Sequence, residues 1–440
     1  MMKKQVALHN LGCKVNAYEL EAMQQILEAD GGYEIVPFAP GADIYIINTC
    51  TVTNIADRKS RQMLHRAKKM NPNALVVATG CYVQAKGEEI KKDPAIDIVI
   101  GNNKKGELLS ILKEYEREHT PYNYIIDINH THEYEELQIS QSEEHTRAYI
   151  KVQDGCNQFC TYCIIPYARG RVRSRRKDEV VSEVERLAEN GCREVVLTGI
   201  HLSSYGMDFE EKETLLSLIE AVHEVDGIER IRLGSLEPGI VTEEFARAIS
   251  GLGKVCPHFH LSMQSGCDET LRRMNRRYDT AQFYERCELL RKYYEKPAIT
   301  TDIIAGFPGE TQEEFERTLE FVDKVDFYET HVFKYSRRAG TKAAVMEGQV
   351  PESVKAERSH ALIELCGRHK NAFLRYFTGK TLEVLFEEQV EIDGESWWMG
   401  HSREYIRVGI KSDENLENVI LQVRADEIVN NEWLRCIKTS

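Results

Sequence analysis

Long apolar runs are what this 440-residue chain most plainly lacks. No stretch approaches the roughly 18 to 20 apolar residues that cross a bilayer, the longest candidates being short segments such as ALVVA and VVLTGI. The opening MMKKQVALHNLG has a positive flank, but its apolar stretch is short, is broken by His9 and Asn10 and has no small-residue cleavage site. No secretory signal is expected, and a cytoplasmic protein without a membrane partner is the expectation. An overall basic excess is missing too, because the net charge of −14 gives no global footprint for nucleic acid. No second CxxC accompanies the one at Cys160 and Cys163, which removes the usual paired framework of a structural zinc site. GFPGET at 306–311 lacks the GK[ST] ending and is not a phosphate loop of the Walker type.

What is present is ordinary for a folded chain, with 42% hydrophobic and 29% charged residues, and the length predicts about three domains. The charge is uneven. Residues 58–87 contain no Asp or Glu but include Arg58, Lys59, Arg61, Arg66, Lys68, Lys69 and Lys86. RGRVRSRRK at 169–177 and RRMNRR at 272–277 are further basic runs.

Residues 1–116 alternate β-branched runs (QVALHN, ADIYIIN, ALVVATG, IDIVIG) with helical patterns, which predicts an open parallel sheet covered by helices. The first helix has Asn16 as its expected N-cap with Glu19 as capping-box partner, and it ends at Gly31. Residues 117–146 are polar and weakly periodic and read as a linker, with one strand at YNYIIDI. Residues 147–375 repeat the alternation six times, with strands near AYIKVQ, EVVLTGI, RIRLGS, HFHLSM, ITTDIIAGF and ETHVFKY and no seventh, which predicts a partial (β/α)6 barrel. Thr311 and Glu314 form a capping box for its fifth helix. Residues 376–440 change to short β segments with turns at DG and SDEN, a small antiparallel barrel whose core takes Trp397, Trp398 and Trp433. The fold class is α/β with three such parts.

Twelve cysteines in a reducing compartment point to metal binding or catalysis rather than disulfides. Cys192, Cys256, Cys267, Cys287, Cys366 and Cys436 are scattered and read as buried, inert thiols. Cys13, Cys50 and Cys81 each follow a predicted strand of the parallel sheet, and strand carboxyl ends share the edge where such sheets bind ligands. Cys156, Cys160 and Cys163 sit on one loop, DGCNQFCTYCI, after the first barrel strand. Three cysteines leave one iron of a cubane cluster without a protein ligand, whereas zinc wants a closed set of four. Zinc or a chance grouping is the competing reading.

The CxxxCxxC spacing with Tyr162 before its last cysteine resembles the signature of radical S-adenosylmethionine enzymes. In that family the open iron chelates the methionine moiety, and an electron from the cluster yields a 5′-deoxyadenosyl radical. GCKVN at 12–16, NTCTVT at 48–53 and TGCYVQ at 79–84, read beside CNQFCTYCIIPYARGRVRSR at 156–175, resemble the motifs of the MiaB-type methylthiotransferases. The resemblance spans essentially the whole chain, in that family's order of auxiliary-cluster domain, radical SAM barrel and OB-like TRAM RNA-binding domain. It implies a second [4Fe–4S] cluster on Cys13, Cys50 and Cys81 that carries sulfur, with S-adenosylmethionine as both methyl donor and radical source. The forms GCKVN and RGRVRSR are most similar to the MtaB branch, which methylthiolates N6-threonylcarbamoyladenosine at position 37 of tRNA. A MiaB-like isopentenyladenosine enzyme and a RimO-like ribosomal-protein enzyme are the alternatives within the family. An iron-sulfur RNA-binding or electron-transfer protein is the alternative outside it.

The resemblance also implies that GSLEP at 234–238, MQSG at 263–266 and DIIAGFPGE at 302–310 surround S-adenosylmethionine, with Tyr162 of the signature as a cofactor-binding residue and polar contacts from Ser235, Glu237 and Gln264; turns chosen for Gly and Pro geometry are the competing reading. Implied partners are the tRNA anticodon stem-loop, an electron donor such as flavodoxin or ferredoxin, and a sulfur donor. Arg169, Arg171, Arg173, Arg175 and Arg176 are the expected RNA-binding residues, since they follow the radical loop and phosphate contacts position a polyanion; a solvated charge run is the plainer reading. His258 and His260 share one strand face and could hold a metal, though ordinary hydrogen bonds are the stronger expectation. Residues 371–440 carry five more acidic than basic residues, which leaves Arg403 and Arg407 as the basic patches of that barrel.

Overall fold

The computed structural model describes residues 3–118, 122–141 and 146–439. Six parallel strands form the first sheet, in which β1 (Lys4–Asn10), β2 (Tyr33–Ile35), β3 (Ile44–Thr49), β4 (Leu75–Gly80), β5 (Ile98–Ile100) and β6 (Tyr122–Tyr124) are ordered β2-β1-β3-β4-β5-β6. Helices α1 (Lys14–Asp30), α2 (Asn54–Met70), α3 (Cys81–Ile90) and α4 (Leu108–Glu118) cover both faces. Strand periodicity decides which face each residue feeds: Ile44 and Ile46 pack with α1 and α4, while Tyr45 and Ile47 pack with α2 and α3. Every residue of β3 is buried, as a central strand covered on both sides requires.

The second part has β7 (Arg147–Asp154), α5 (Ile165–Arg169), a short β8 (Arg173–Ser174), α6 (Lys177–Glu189), β9 (Glu194–Gly199), α7 (Leu215–His223), β10 (Arg230–Leu233) and α8 (Glu243–Gly251). It continues through β11 (His258–His260), α9 (Asp268–Arg273), α10 (Thr280–Tyr293), β12 (Ala298–Ala305), α11 (Gln312–Val325) and β13 (Glu329–Lys334). β7, β9 and β10 pair in parallel, as do β11, β12 and β13, and single bridges such as Leu236 to Leu261 join the two groups. Six parallel strands in chain order make the partial barrel, and β8 adds antiparallel to its first edge.

Helix α12 (Glu352–Phe377) belongs to two cores at once. Leu362, Leu365 and Cys366 join the barrel core, and Phe373, Leu374 and Phe377 join that of the last part. There β14 (Thr381–Ile392), β15 (Glu395–Ser402), β16 (Arg407–Ile410), β17 (Ile420–Val429) and β18 (Trp433–Lys438) close a barrel. Four pairings are antiparallel, but the β16 to β18 seam is parallel. All three tryptophans are core residues, and Trp397 packs edge-on to Trp433 at 5.3 Å.

Two expectations need correction. Asn16 does not cap α1. Cys13 takes that position, and buried Asn16 donates instead to the Leu11 and Thr49 carbonyls at 2.9 and 3.0 Å. Glu19, its expected partner, is wholly buried and ion-paired, and tertiary electrostatics override the local motif. The 117–146 stretch is no solvated spacer either, because Leu137 and Ile139 pack into the barrel core while the Tyr18 hydroxyl donates to the Leu137 carbonyl at 2.5 Å. Residues 119–121 and 142–145 of that stretch lie outside the described residues. The Thr311 and Glu314 capping box and the left-handed Gly31 at the end of α1 form as expected. Among the described residues no helix is long and apolar enough to cross a membrane.

Two glycines give opposite expected outcomes. A Cβ at Gly400 would lie 2.2 Å from the Leu385 carbonyl oxygen, whereas one at Gly367 inside α12 meets nothing within 4 Å. Gly367→Ala is expected to stabilise by about 0.5–1 kcal/mol and Gly400→Ala to destabilise by more than that, read as opposite shifts of the unfolding transition by calorimetry.

Candidate functional site

The first cysteine triad is assembled by sheet order. Cys13, Cys50 and Cys81 follow β1, β3 and β4, which are neighbours in the sheet, so their carboxyl ends present the three thiols side by side. Gly80 (φ 96°) lets the end of β4 press on the end of β3, since a Cβ there would fall 2.6 Å from the Thr49 carbonyl oxygen. Each thiol lies within electrostatic reach of the others, and burial pushes the Cys50 thiol up to about 11. Three cysteine sulfurs gathered in this way are a donor set that a metal could bind, with release of protons from the thiols it takes up.

The second triad lies on the loop between β7 and α5. Gly155 (φ 71°) starts it, where a Cβ would collide with the Arg171 carbonyl oxygen, and the Cys156 amide donates to the Gly170 carbonyl at 3.0 Å. The Cys163 amide donates to the Cys160 carbonyl at 3.0 Å, and burial lifts Cys156 to about 11 and Cys163 to about 12. Segment 272–277 braces the loop from outside: Thr161 donates to the Met274 and Arg273 carbonyls, and Asn275 to those of Gln158 and Phe159.

Sequence reasoning passed over Arg276 inside that segment. Its guanidinium reaches Cys160 Sγ at 3.3 Å, Glu237 Oε2 at 2.9 Å and the Ser262 carbonyl at 3.0 Å, and it is nearly buried. His201 stands on the other side of Glu237 at 3.5 Å. Ser235, Glu237 and Gln264 all lie just beyond the carboxyl ends of β10 and β11, on the side of the cysteine loop. Ser235 is exposed, Glu237 orients Arg276, and Gln264 is buried in a left-handed turn (φ 69°) that bridges to β12. Tyr162 packs edge-on to Phe307 at 6.4 Å.

The RNA-contact expectation for the 169–176 arginines is corrected for three of the five. Arg169, Arg173 and Arg175 are 0%, 0% and 1% exposed, so none offers a guanidinium to a polyanion. Arg175 pairs with Glu183 beside Tyr18, Arg173 approaches Asp154, and Arg169 pairs with Glu19 and Asp154. Only Arg171 and Arg176 are exposed, stacked over Phe159 and Phe209. Exposed cations stand elsewhere, at the start of α2 beside Cys50 (Arg58, Lys59), further along that helix (Arg66, Lys69) and at Arg272 and Arg277. Val52, Ile55 and Tyr167 lie exposed among them. Arg403 is committed to the Gly253 and Val255 carbonyls, while Arg407 is exposed.

The expectation of ordinary hydrogen bonds holds for His260 and fails for His258, whose buried Nδ1 has no hydrogen-bond partner among the described residues. His258 stacks on Tyr405 at 4.7 Å, and burial together with Arg232 pushes its imidazole well below the usual range. His260 meets Thr300 at 3.0 Å. It also groups with Asp302 and His331, one donor atom of each lying within 4.8 Å of the others, and its Nε2 is 3.4 Å from Asp302 Oδ2.

Comparison with known proteins bears on this arrangement. Residues 150–322 match the radical SAM superfamily, and residues 5–101 match a family described as Uncharacterized protein family UPF0004. The threonylcarbamoyladenosine tRNA methylthiotransferase MtaB of Bacillus subtilis is 41% identical, covering 95% of this chain and 93% of that one. The MtaB of Aquifex aeolicus is 40% identical, covering 87% and 93%. A tRNA-2-methylthio-N(6)-dimethylallyladenosine synthase of Clostridium botulinum is 36% identical over 94% of this chain and 92% of its own. Among solved structures, the radical S-adenosylmethionine methyltransferase TsrM of Kitasatospora setae superposes with a TM-score of 0.57 at 16% identity, covering 78% of this chain and 77% of that one, which shows the fold alone.

The burial pattern divides the thiols. In cofactor-free protein, brief alkylation is expected to label Cys13, Cys50, Cys156, Cys160 and Cys163 ahead of Cys192, Cys256, Cys267, Cys287, Cys366 and Cys436, which are all buried. Peptide mass spectrometry checks the order, and Cys287 labelling as fast as Cys156 would contradict it.

Proposed function

The chain belongs to the MiaB-type methylthiotransferases of the radical S-adenosylmethionine superfamily, and on that premise we propose that it places a methylthio group on C2 of N6-threonylcarbamoyladenosine at position 37 of tRNA. The observation that carries the reading is the pair of three-cysteine sets, each at strand carboxyl ends and each one ligand short of closing a cubane. The threonylcarbamoyl substrate follows the 41% identity to MtaB, above the 36% to the dimethylallyladenosine enzyme.

A [4Fe–4S] cluster on Cys156, Cys160 and Cys163 would supply the electron that cleaves S-adenosylmethionine, and one on Cys13, Cys50 and Cys81 would supply the sulfur. Radical chemistry suits the target because an aromatic C–H is too weakly acidic for a side-chain base near neutral pH. The chain's own residues bind, orient and shield. Arg276 brings a positive charge to Cys160, and Glu237 and His201 fix the direction of its fork. Tyr162 and Phe307 make an apolar wall beside the same loop, where excluding water protects a reactive intermediate. Arg338 pairs with Asp57 and Thr51 at 2.9 and 2.7 Å and pins the loop that carries Cys50 against the barrel.

The RNA is met by the exposed cations of α2, by Arg272 and Arg277, and by Arg171 and Arg176. This is how an acidic protein receives a polyanion, through a local patch at the mouth. An electron donor of the flavodoxin or ferredoxin kind and a sulfur donor complete the cycle, in the cytoplasm where tRNA is modified.

Cys81→Ala is expected to keep cleavage of S-adenosylmethionine to 5′-deoxyadenosine but abolish methylthiolation, whereas Cys163→Ala abolishes both. Equal effects of the two changes would refute the division of labour. Mass spectrometry of tRNA nucleosides from a deletion strain tests the substrate, with loss of the 2-methylthio derivative of threonylcarbamoyladenosine expected and its retention contradicting the assignment.

A further inference from the structure

Arg169 touches both halves of the proposed chemistry, and Asn102 stands beside it with its amide 3.8 Å from Cys81 Sγ and 2.7 Å from the Ala168 carbonyl. A guanidinium has five N–H bonds, and all five are used here. Nε donates to Cys81 Sγ at 3.0 Å, Nη1 to Glu19 and to Asp154 Oδ2 at 3.2 Å, and Nη2 to Glu19 Oε2 at 3.0 Å and Asn16 Oδ1 at 2.8 Å. The acceptors come from α1, from α3 and from the end of β7, while Arg169 itself ends α5, the helix that follows Cys163. Asp154 turns its other oxygen to the Gly155 amide at 2.8 Å, immediately before Cys156, and Gly170 accepts from the Cys156 amide. One guanidinium thus ties a thiol of the first triad to both ends of the loop bearing the second.

The local charge separates this from a plain interface ion pair. Lys105, Lys151, Arg169 and Arg173 surround Glu19, Asp154 and Glu135, all of them buried, so the enclosed cations outnumber the carboxylates by one. An uncompensated charge in such a place is costly, and a metal-bound thiolate at Cys81 would supply the missing negative charge. Lysine could not replace arginine, since its three donors cannot reach five acceptors in one plane.

We propose that Arg169 is a positioning residue which holds the Cys81 sulfur by an N–H···S bond, fixes the two cysteine triads relative to one another and raises the reduction potential of the cluster bound by Cys13, Cys50 and Cys81. The inference rests on the reading that those three cysteines hold a cluster. Hydrogen bonds to ligand sulfur stabilise the more negative, reduced state, so their loss lowers the potential.

The test uses the full chain with Cys156, Cys160 and Cys163 changed to Ala, reconstituted anaerobically and titrated electrochemically with EPR detection. Arg169→Lys is expected to shift the midpoint to a more negative value, and Glu19→Gln, which leaves the N–H···S bond, to shift it less. A cluster that fails to assemble in Arg169→Lys while the metal-free variant keeps its parent's melting temperature supports the proposal as well. An unchanged midpoint overturns it, as does cluster loss with a lowered metal-free melting temperature, which would mark a scaffold residue. If the parent takes up no iron, the cluster reading itself fails.

Discussion

Two carboxylates buried where α1 meets the end of β7 dictate how the parts of this chain fit together. Glu19 is 0% and Asp154 1% exposed, so each must be fully paired inside the protein, because an unpaired buried charge is strongly destabilising. Their cations come from separate elements: Lys105 precedes α4, Lys151 is in β7, and Arg169 ends α5. Satisfying them ties the parallel sheet to the partial barrel. Burial raises both carboxyls, yet the surrounding cations more than undo it: Arg169, Lys105 and Lys151 hold Glu19 well below the usual range, and Arg169, Lys151 and Arg173 hold Asp154 at about 2. The Tyr18, Glu183 and Arg175 contacts and the Arg338 to Asp57 pair extend the same fixed interface.

The architecture was legible because its signals are local. Apolar strands alternating with helical periods marked a covered parallel sheet, six such units marked the partial barrel, and each cysteine of the first set stood at a strand end. The partners of buried charge were not legible, since they are remote in sequence. Arg169 meets Glu19 across 150 residues, and nothing near RGRVRSRRK announces that pairing. One clue was available. Glu19 and Glu183 sit on the apolar faces of their helices, where a carboxylate demands a buried cation. Asn16 and Glu19 were misread for the same reason, as a cap motif whose side chains the tertiary structure had claimed. Arg276 was hidden in RRMNRR, where neighbours Arg272 and Arg277 are exposed and it alone reaches a cysteine sulfur.

Moving three arginines from surface to interior also relocates the basic surface. The exposed cations of α2 follow directly from Cys50, so the sheet edge that gathers the first triad also displays positive charge beside it. Net charge therefore says little about partners here, and the placement of a few exposed cationic side chains says more.

The central claim is that each triad holds its own cubane, and Mössbauer spectroscopy with iron and sulfide analysis of anaerobically isolated protein tests it most directly. The account predicts two [4Fe–4S] clusters per chain, and one when either triad is changed to alanine. A single cluster in the unaltered chain, or zinc in either triad of the active protein, would contradict it.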